Sequence, residues 1–97
     1  MKKWIAHSDG FAKGKITINP GAYDALMSSQ ATSLLPVGVT AVEGDFEKDD
    51  IVKVAGPDGE AFAVGRTSYD SDEARAAIGK QGQRPLIHYN YLYIEQI

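Results

Sequence analysis

Three carboxylates that alternate along the chain, Asp45, Glu47 and Asp49, are the first residues whose spacing could do chemistry. An EF-hand calcium loop begins with the same alternation, but it also requires Gly at its sixth position and Glu at its twelfth. Asp50 and Gly56 occupy those two positions here. A catalytic carboxylate pair would need a cleft that raises one pKa, and no apolar segment beside the run supplies one. We therefore interpret the acidic run as a solvated turn between two strands.

The remaining reactive residue types do not form a catalytic or metal-binding pattern. His7 and His88 lie far apart, and no ligand spacing connects them. The absence of cysteine excludes both a thiolate metal site and a disulfide. The glycines match neither of the common phosphate-binding motifs. We therefore predict no catalytic, cofactor-binding or metal-binding residue in this chain.

Cationic and aromatic residues form a more suggestive set. Lysines lie before and in the first predicted strand, and further cations precede the last predicted strand, which is rich in aromatic residues. If these two strands are neighbours, the cations and rings converge, as single-stranded or terminal nucleotides require. The alternative is an ordinary solvated edge whose tyrosines alternate between core and surface. The candidate RNA-binding residues are Lys13, Lys15, Lys80, Arg84, His88, Tyr89 and Tyr91.

Alternating apolar and β-branched residues predict the strands that position these side chains. The segment Gly56 to Gly59 reads Gly-Pro-Asp-Gly and predicts a hairpin turn, and Gly65 indicates a bulge or a close backbone approach. Together with two helices, the elements follow the order β-α-β-β-β-α-β. The predicted strands cover residues 15–18, 39–43, 51–55, 60–69 and 85–94.

Capping residues predict the two helices. Asn19 and Pro20 begin the first, which ends at Ser28 or Ser29. The second follows a cap at Asp70 or Ser71, and Gly79 ends it. These elements predict an α+β fold that is mainly β.

The bulk composition limits the classes of protein. The chain has 97 residues, 43% hydrophobic and 24% charged, which fits one soluble globular domain with little room for an enclosed cavity. No apolar run reaches the roughly 18 residues of a membrane-spanning helix, and the first residues lack the pattern of a signal peptide. The net charge of −3 argues against a dedicated nucleic-acid binder. We expect a cytoplasmic protein without a membrane partner.

Several segments closely resemble the PUA domain at the C-terminus of glutamate 5-kinases. The most specific is "LLPVGVTAVEGDF", which begins at Leu34, and "YDSDEAR", which begins at Tyr69, resembles a strand-to-helix turn of the same family. "GKITINPGAYDAL" resembles the first strand and helix, and "IHYNYLYI" resembles the closing strand. The resemblance covers nearly the whole chain. It assigns residues 1–12 to a lead-in and residues 13–97 to the domain.

The resemblance implies a pseudo-barrel of about six short strands with two short helices, in which the acidic run is structural. The family usually has glycine where Asp49 lies, which argues against a tight turn that needs glycine there. Its closing strand commonly contains an Arg-Asp pair after the histidine, whereas this chain reads His-Tyr-Asn-Tyr from His88. That difference weakens any electrostatic role carried over to this strand.

The resemblance also implies a function for the parent protein. Glutamate 5-kinases phosphorylate glutamate with ATP and magnesium in the first step of proline biosynthesis, using a separate amino-acid kinase domain. We expect this chain to be a non-catalytic part of such an enzyme, without a cofactor of its own. Its expected role is in assembly or regulation, with the kinase domain or other subunits as partners. The alternatives are an RNA-binding PUA module, free-standing or within the enzyme, and a small-ligand sensor for proline feedback.

Overall fold

The computed structural model describes residues 13–28 and 32–94, and within them the predicted order of strands and helices is confirmed. The predicted lead-in 1–12 and a helix end at Ser29 lie outside the described residues. Two 3-10 turns interrupt the loops at Pro36–Gly38 and Tyr89–Tyr91. The helices are α1 (Pro20–Ser28) and α2 (Ser71–Ala77), and the strands are β1 (Gly14–Ile18), β2 (Val39–Gly44), β3 (Ile51–Ala55), β4 (Ala61–Arg66) and β5 (Leu92–Ile94).

The five described strands form one open mixed sheet in the order β2-β1-β3-β4-β5. β1 and β3 are parallel, and the other neighbouring pairs are antiparallel. The α+β fold is therefore confirmed, and the part of the chain that the structure describes contains five of the roughly six short strands expected. An isolated antiparallel bridge between Leu34 and Ile87 occurs in place of a further strand pair.

Both helices begin at the predicted caps. The Asn19 side chain accepts a hydrogen bond from the Ala22 backbone N–H at 2.8 Å, and Leu26 is the buried residue of α1. Asp70 accepts from the Glu73 N–H at 2.7 Å, and the Glu73 carboxylate accepts from the Asp70 N–H at 3.2 Å. These two bonds form a complete capping box at α2.

Helix α2 also reaches the end of β2. Arg75 donates a hydrogen bond from Nη2 to the Gly44 carbonyl at 2.6 Å. Since β2 lies at one edge of the described sheet, this contact connects the helix to an edge strand.

The predicted hairpin joins β3 and β4, and Gly65 is a close backbone approach. The Gly59 N–H donates to the Gly56 carbonyl at 2.9 Å, which closes the turn. A Cβ atom on Gly65 would lie 2.7 Å from Ile87 Cγ2 and 2.8 Å from the Tyr91 carbonyl. Larger side chains at Gly65 would therefore displace the closing segment.

Two predicted strands are shorter than expected. β4 ends at Arg66 rather than Tyr69, because the buried Thr67 hydroxyl bonds both the Tyr69 carbonyl and the Tyr69 N–H and turns the chain. The closing segment 85–94 is not one strand: it contains the Ile87 bridge, a 3-10 turn and the short β5. His88 caps that turn by accepting from the Asn90 N–H at 3.2 Å.

The core lies on one face of the sheet. Ile16, Val54 and Ala63 are in register on neighbouring strands and are fully or almost fully buried. Residues of both helices and of the segments around Leu34 and Ile87 complete the cluster. The largest fully buried side chains are Ile16, Ile18, Leu34, Leu86, Ile87, Val52, Val54, Thr67 and Pro36.

Candidate functional site

The acidic loop, residues 45–50, is built by backbone hydrogen bonds. The Asp50 carboxylate accepts from the Glu47 N–H at 2.9 Å, and the Asp49 N–H donates to the Thr67 carbonyl at 2.8 Å. Asp49 itself adopts a left-handed φ of 74°, so the tight turn forms without the family's usual glycine, contrary to the expectation from the sequence. Within residues 13–28 and 32–94, no three His, Asp or Glu side chains gather as metal ligands.

The sheet separates the two groups of candidate RNA-binding residues. Lys13 and Lys15 lie at β1, whereas β5 is an edge strand that β3 and β4 separate from β1. The first and last strands are therefore not neighbours, and the convergence that depended on it does not occur within the sheet. Lys15 is in register with Glu43 of β2 and Lys53 of β3, so these charges form a row on the face opposite the core.

Lys80 and Arg84 lie together in the basic loop, residues 79–84. Gly79 and Gly82 adopt left-handed φ values of 74° and 75° on either side of Lys80. The Arg84 guanidinium carbon lies 4.4 Å from the centroid of the Tyr69 ring. This loop and α2 enclose a shallow cavity of about 240 Å³, the α2 pocket, which is lined by Tyr69, Glu73, Ala76, Ala77, Lys80, Gln83 and Arg84.

His88, Tyr89 and Tyr91 form a second group, the aromatic turn. The His88 and Tyr89 rings stack with centroids 4.5 Å apart and an interplanar angle of 28°. Tyr91 lies 6.4 Å from His88, and the two tyrosines are 42% and 41% exposed. The backbone N–H of Tyr89 donates to the Ser33 hydroxyl at 2.9 Å and fixes the turn.

The sequence predictions missed Arg66. Its guanidinium carbon lies 4.0 Å from the Tyr91 ring centroid, and its Nε lies 3.7 Å from Asp49 Oδ1. The aromatic turn therefore has a cation beside it from β4 rather than from the predicted lysines. The predicted strand over residues 60–69 contained Arg66, but no local pattern indicated its distant partners.

A second, larger cavity was also missed. A mostly apolar groove of about 300 Å³ lies between α1 and the turn Pro36–Gly38. Ala25 and Leu26 line one side, and Leu35 and Val37, which are 44% and 39% exposed, line the other. This groove is open to solvent, so it does not bear on the expectation of little room for an enclosed cavity; the sequence contains no signal for it because its walls come from two separate segments.

The PUA domain family matches residues 14–88. The matched span includes β1 to β4, both helices, the basic loop and His88, and it ends before β5. The chain therefore belongs to the PUA domain family.

The chain is similar to curated glutamate 5-kinases, and the match lies in their C-terminal part. The chain is 57% identical over 95 residues to the enzyme of Bacteroides thetaiotaomicron, covering 98% of this chain and 26% of that protein. It is 49% identical over 94 residues to the enzyme of Chlorobaculum tepidum, covering 96% of this chain and 26% of that protein. The chain thus spans about a quarter of the length of these relatives.

Solved structures share the fold at low sequence identity. A PUA domain from Aeropyrum pernix K1, solved as a tartrate complex, superposes with a TM-score of 0.71 and 22% identity, covering 87% of this chain and 43% of that one. A chain of the archaeal box H/ACA sRNP Nop10-Cbf5 complex superposes with a TM-score of 0.66 and 17% identity, covering 84% of this chain and 25% of that one. In the described residues, neither helix has the length and apolar character that crossing a membrane requires.

Proposed function

We propose that this PUA domain is the non-catalytic C-terminal part of a cytoplasmic glutamate 5-kinase and that it acts there in assembly or regulation. The supporting observation is the identity of 57% and 49% over nearly the whole chain to two such enzymes. The solved PUA structures, at 17% and 22% identity, support the fold alone. The parent enzyme phosphorylates L-glutamate with ATP and magnesium at the start of proline biosynthesis.

The share of the relatives that the chain covers indicates where the catalytic sites of the parent enzyme lie. Since the chain corresponds to 26% of each enzyme, the ATP and glutamate sites are expected in the remaining, upstream part. In the proposal, the domain contacts its own kinase domain or other subunits and changes how the enzyme assembles or responds to an effector.

A chimaera tests this proposal. The C-terminal quarter of the Bacteroides thetaiotaomicron enzyme is replaced by this chain and compared with the natural enzyme and with the truncated kinase domain. We expect the truncated form to phosphorylate glutamate but to differ in subunit number by light scattering or in its inhibition by added L-proline. The chimaera should restore the natural behaviour.

Two results would contradict the proposal. The first is a chimaera that matches the truncated kinase in mass, KM and inhibition, although the chain within it is folded. The second is turnover of ATP with glutamate by the isolated 97-residue chain, which would mean that the domain is catalytic. A chimaera carrying Lys48→Gln, in the acidic loop, controls for a nonspecific effect of substitution.

RNA binding is the second candidate function, because the aromatic turn offers exposed rings beside a cation. Tyr89 and Tyr91 are 42% and 41% exposed, and Arg66 lies over the Tyr91 ring. Stacking platforms with nearby cations suit unpaired bases. One structural neighbour is a chain of the box H/ACA sRNP Nop10-Cbf5 complex, but at 17% identity it supports a shared fold and not a shared ligand.

Titration of labelled tRNA with the chain at about 50 and 200 mM salt tests RNA binding, because phosphate contacts weaken steeply between those concentrations. Arg66→Gln should reduce the salt dependence, and Tyr89→Ala should weaken binding at both concentrations. Lys48→Gln is the matched control. No binding at the lower salt concentration would exclude this function.

A further inference from the structure

The α2 pocket has a cation that the fold holds in place. Arg84 Nη2 donates to the Ser68 carbonyl at 3.2 Å, and its guanidinium lies against the Tyr69 ring. The Tyr69 hydroxyl donates in turn to the Arg84 carbonyl at 2.9 Å. Tyr69 is only 4% exposed, so the ring is a fixed support. Most surface arginines sample many rotamers and lose that freedom when they bind an anion. Because Arg84 is already held by Ser68 and Tyr69, it should lose less conformational entropy on binding.

The pocket also has a carboxylate on its wall. Glu73 lines the cavity, and its Oε1 accepts from the Asp70 N–H at 3.2 Å as half of the capping box. A carboxylate has about four acceptor positions, so this bond leaves capacity for a further donor. The pocket thus combines an anion on α2 with the cations Lys80 and Arg84 of the basic loop.

The size and floor of the pocket restrict the ligand further. Its volume of about 240 Å³ is below the roughly 300–1,000 Å³ of pockets for drug-sized ligands. Ala76 and Ala77 give it a small apolar section, and Gln83 adds an amide. A ligand that matches these features is small, carries both charges and has a short apolar side chain.

We propose that the α2 pocket binds a small free α-amino acid as its zwitterion. Arg84 and Lys80 bind the carboxylate, Glu73 binds the ammonium group, and Ala76 and Ala77 contact the side chain. A phosphate group or an RNA backbone fits less well, because the Glu73 carboxylate repels a ligand that carries only negative charge. The inference goes beyond the proposed function, since binding by the chain does not depend on a kinase domain.

The ¹⁵N-¹H spectrum of the 97-residue chain, titrated with L-alanine, propionate and ethylammonium, tests the proposal. Propionate lacks the ammonium group of alanine, and ethylammonium lacks its carboxylate. We expect alanine to shift the amides of α2 and the basic loop with a dissociation constant on the order of 1 mM, as suits so small a ligand. Each half-ligand should bind about tenfold more weakly.

Two variants separate the charges without removing the fold. Glu73→Gln keeps a residue that completes a capping box, and it should abolish the advantage of alanine over propionate. Arg84→Gln should weaken both alanine and propionate by about tenfold, as expected for loss of one charge-assisted contact. Glu60→Gln, in the hairpin turn, is the matched control and should leave alanine binding unchanged. The spectra themselves report whether each variant is folded.

Three results would overturn the proposal. One is the absence of shifts in the pocket at about 20 mM alanine, far above the expected dissociation constant. Another is equal binding of alanine, propionate and inorganic phosphate, which would indicate an anion site only. The third is unchanged alanine binding by a folded Glu73→Gln variant. L-Proline and L-glutamate, titrated in the same way, determine which side chains the pocket accepts.

Discussion

The acidic loop and the basic loop are both short, charged connections, but their charges have different uses. In the acidic loop, charged residues shape the turn: the Asp50 carboxylate accepts a hydrogen bond from the Glu47 N–H, and Asp49 occupies the left-handed position. In the basic loop, Arg84 is fixed against Tyr69 and lines a cavity together with Lys80. Charge density alone therefore does not identify a site, because a charged group must face a cavity that a ligand can enter.

The largest expected effect tests whether the acidic loop is a structural element. Phe46 lies in it at 4% exposure, and its backbone carbonyl accepts from the Ser71 N–H at 2.9 Å. Phe46→Ala should lower the free energy of unfolding by about 3–5 kcal/mol, as expected when a buried ring is removed. Urea unfolding measures the change, with Lys48→Ala as the exposed control. A loss below about 1 kcal/mol would mean that the loop is dispensable.

The next effect concerns the conformation of Asp49. With a φ of 74°, Asp49→Ala should be less stable than Asp49→Gly by about 1–2 kcal/mol, because a Cβ atom disfavours the left-handed region. Both variants lose the contact with Arg66, so their difference isolates the backbone effect. Thermal and urea unfolding of the pair measure it. Equal stability of the two variants would mean that the turn relaxes to another conformation.

A smaller effect should distinguish the support of the basic loop from its charges. Tyr69→Phe removes the hydrogen bond to the Arg84 carbonyl but keeps the ring beneath the guanidinium. We expect a loss of about 1 kcal/mol in the free energy of unfolding, typical of one hydrogen bond. Unfolding curves for Tyr69→Phe and Tyr23→Phe, the latter in α1, provide the comparison. If only the Tyr23 variant is destabilised, the bond does not hold the loop.

The smallest effect on stability should come from the charges of the basic loop. Lys80 is exposed, and Lys80→Gln should change the free energy of unfolding by less than about 0.5 kcal/mol, as for most surface substitutions. Lys48→Gln in the acidic loop should do the same. A marked destabilisation by Lys80→Gln alone would assign Lys80 a structural role and remove the contrast between the loops.

Local patterns predicted the elements well. Asn19 and Asp70 are caps that act within three residues, so the sequence shows them directly, and both caps are confirmed. The hairpin around Gly59 and the close approach at Gly65 also depend on residue types that few conformations tolerate. The order of strands and helices followed from these signals.

Interactions between distant segments could not be predicted. The sheet order places β3 and β4 between β1 and β5, and no local pattern encodes that separation. The closing segment reads as one strand because its residues alternate, yet the bond from the Tyr89 N–H to Ser33 and the cap by His88 turn it into a 3-10 turn. Arg66 was missed for the same reason, since its partners Asp49 and Tyr91 lie far from it in the sequence and come close to it only in the folded chain. The α2 pocket likewise depends on the fold, because it is lined by residues of α2 and of the basic loop together.

The hydrogen bond from Arg75 to Gly44 bears on how the protein behaves when crowded. Within the described residues, β2 is an edge strand of an open sheet. The backbone carbonyls at the outer side of an edge strand can pair with a strand of another molecule. The guanidinium occupies one of these carbonyls, and the exposed Glu43 beside it adds a charge that an incoming strand would have to desolvate. We therefore expect α2 to hinder the addition of a foreign strand at this edge, which would lower the tendency of the domain to aggregate.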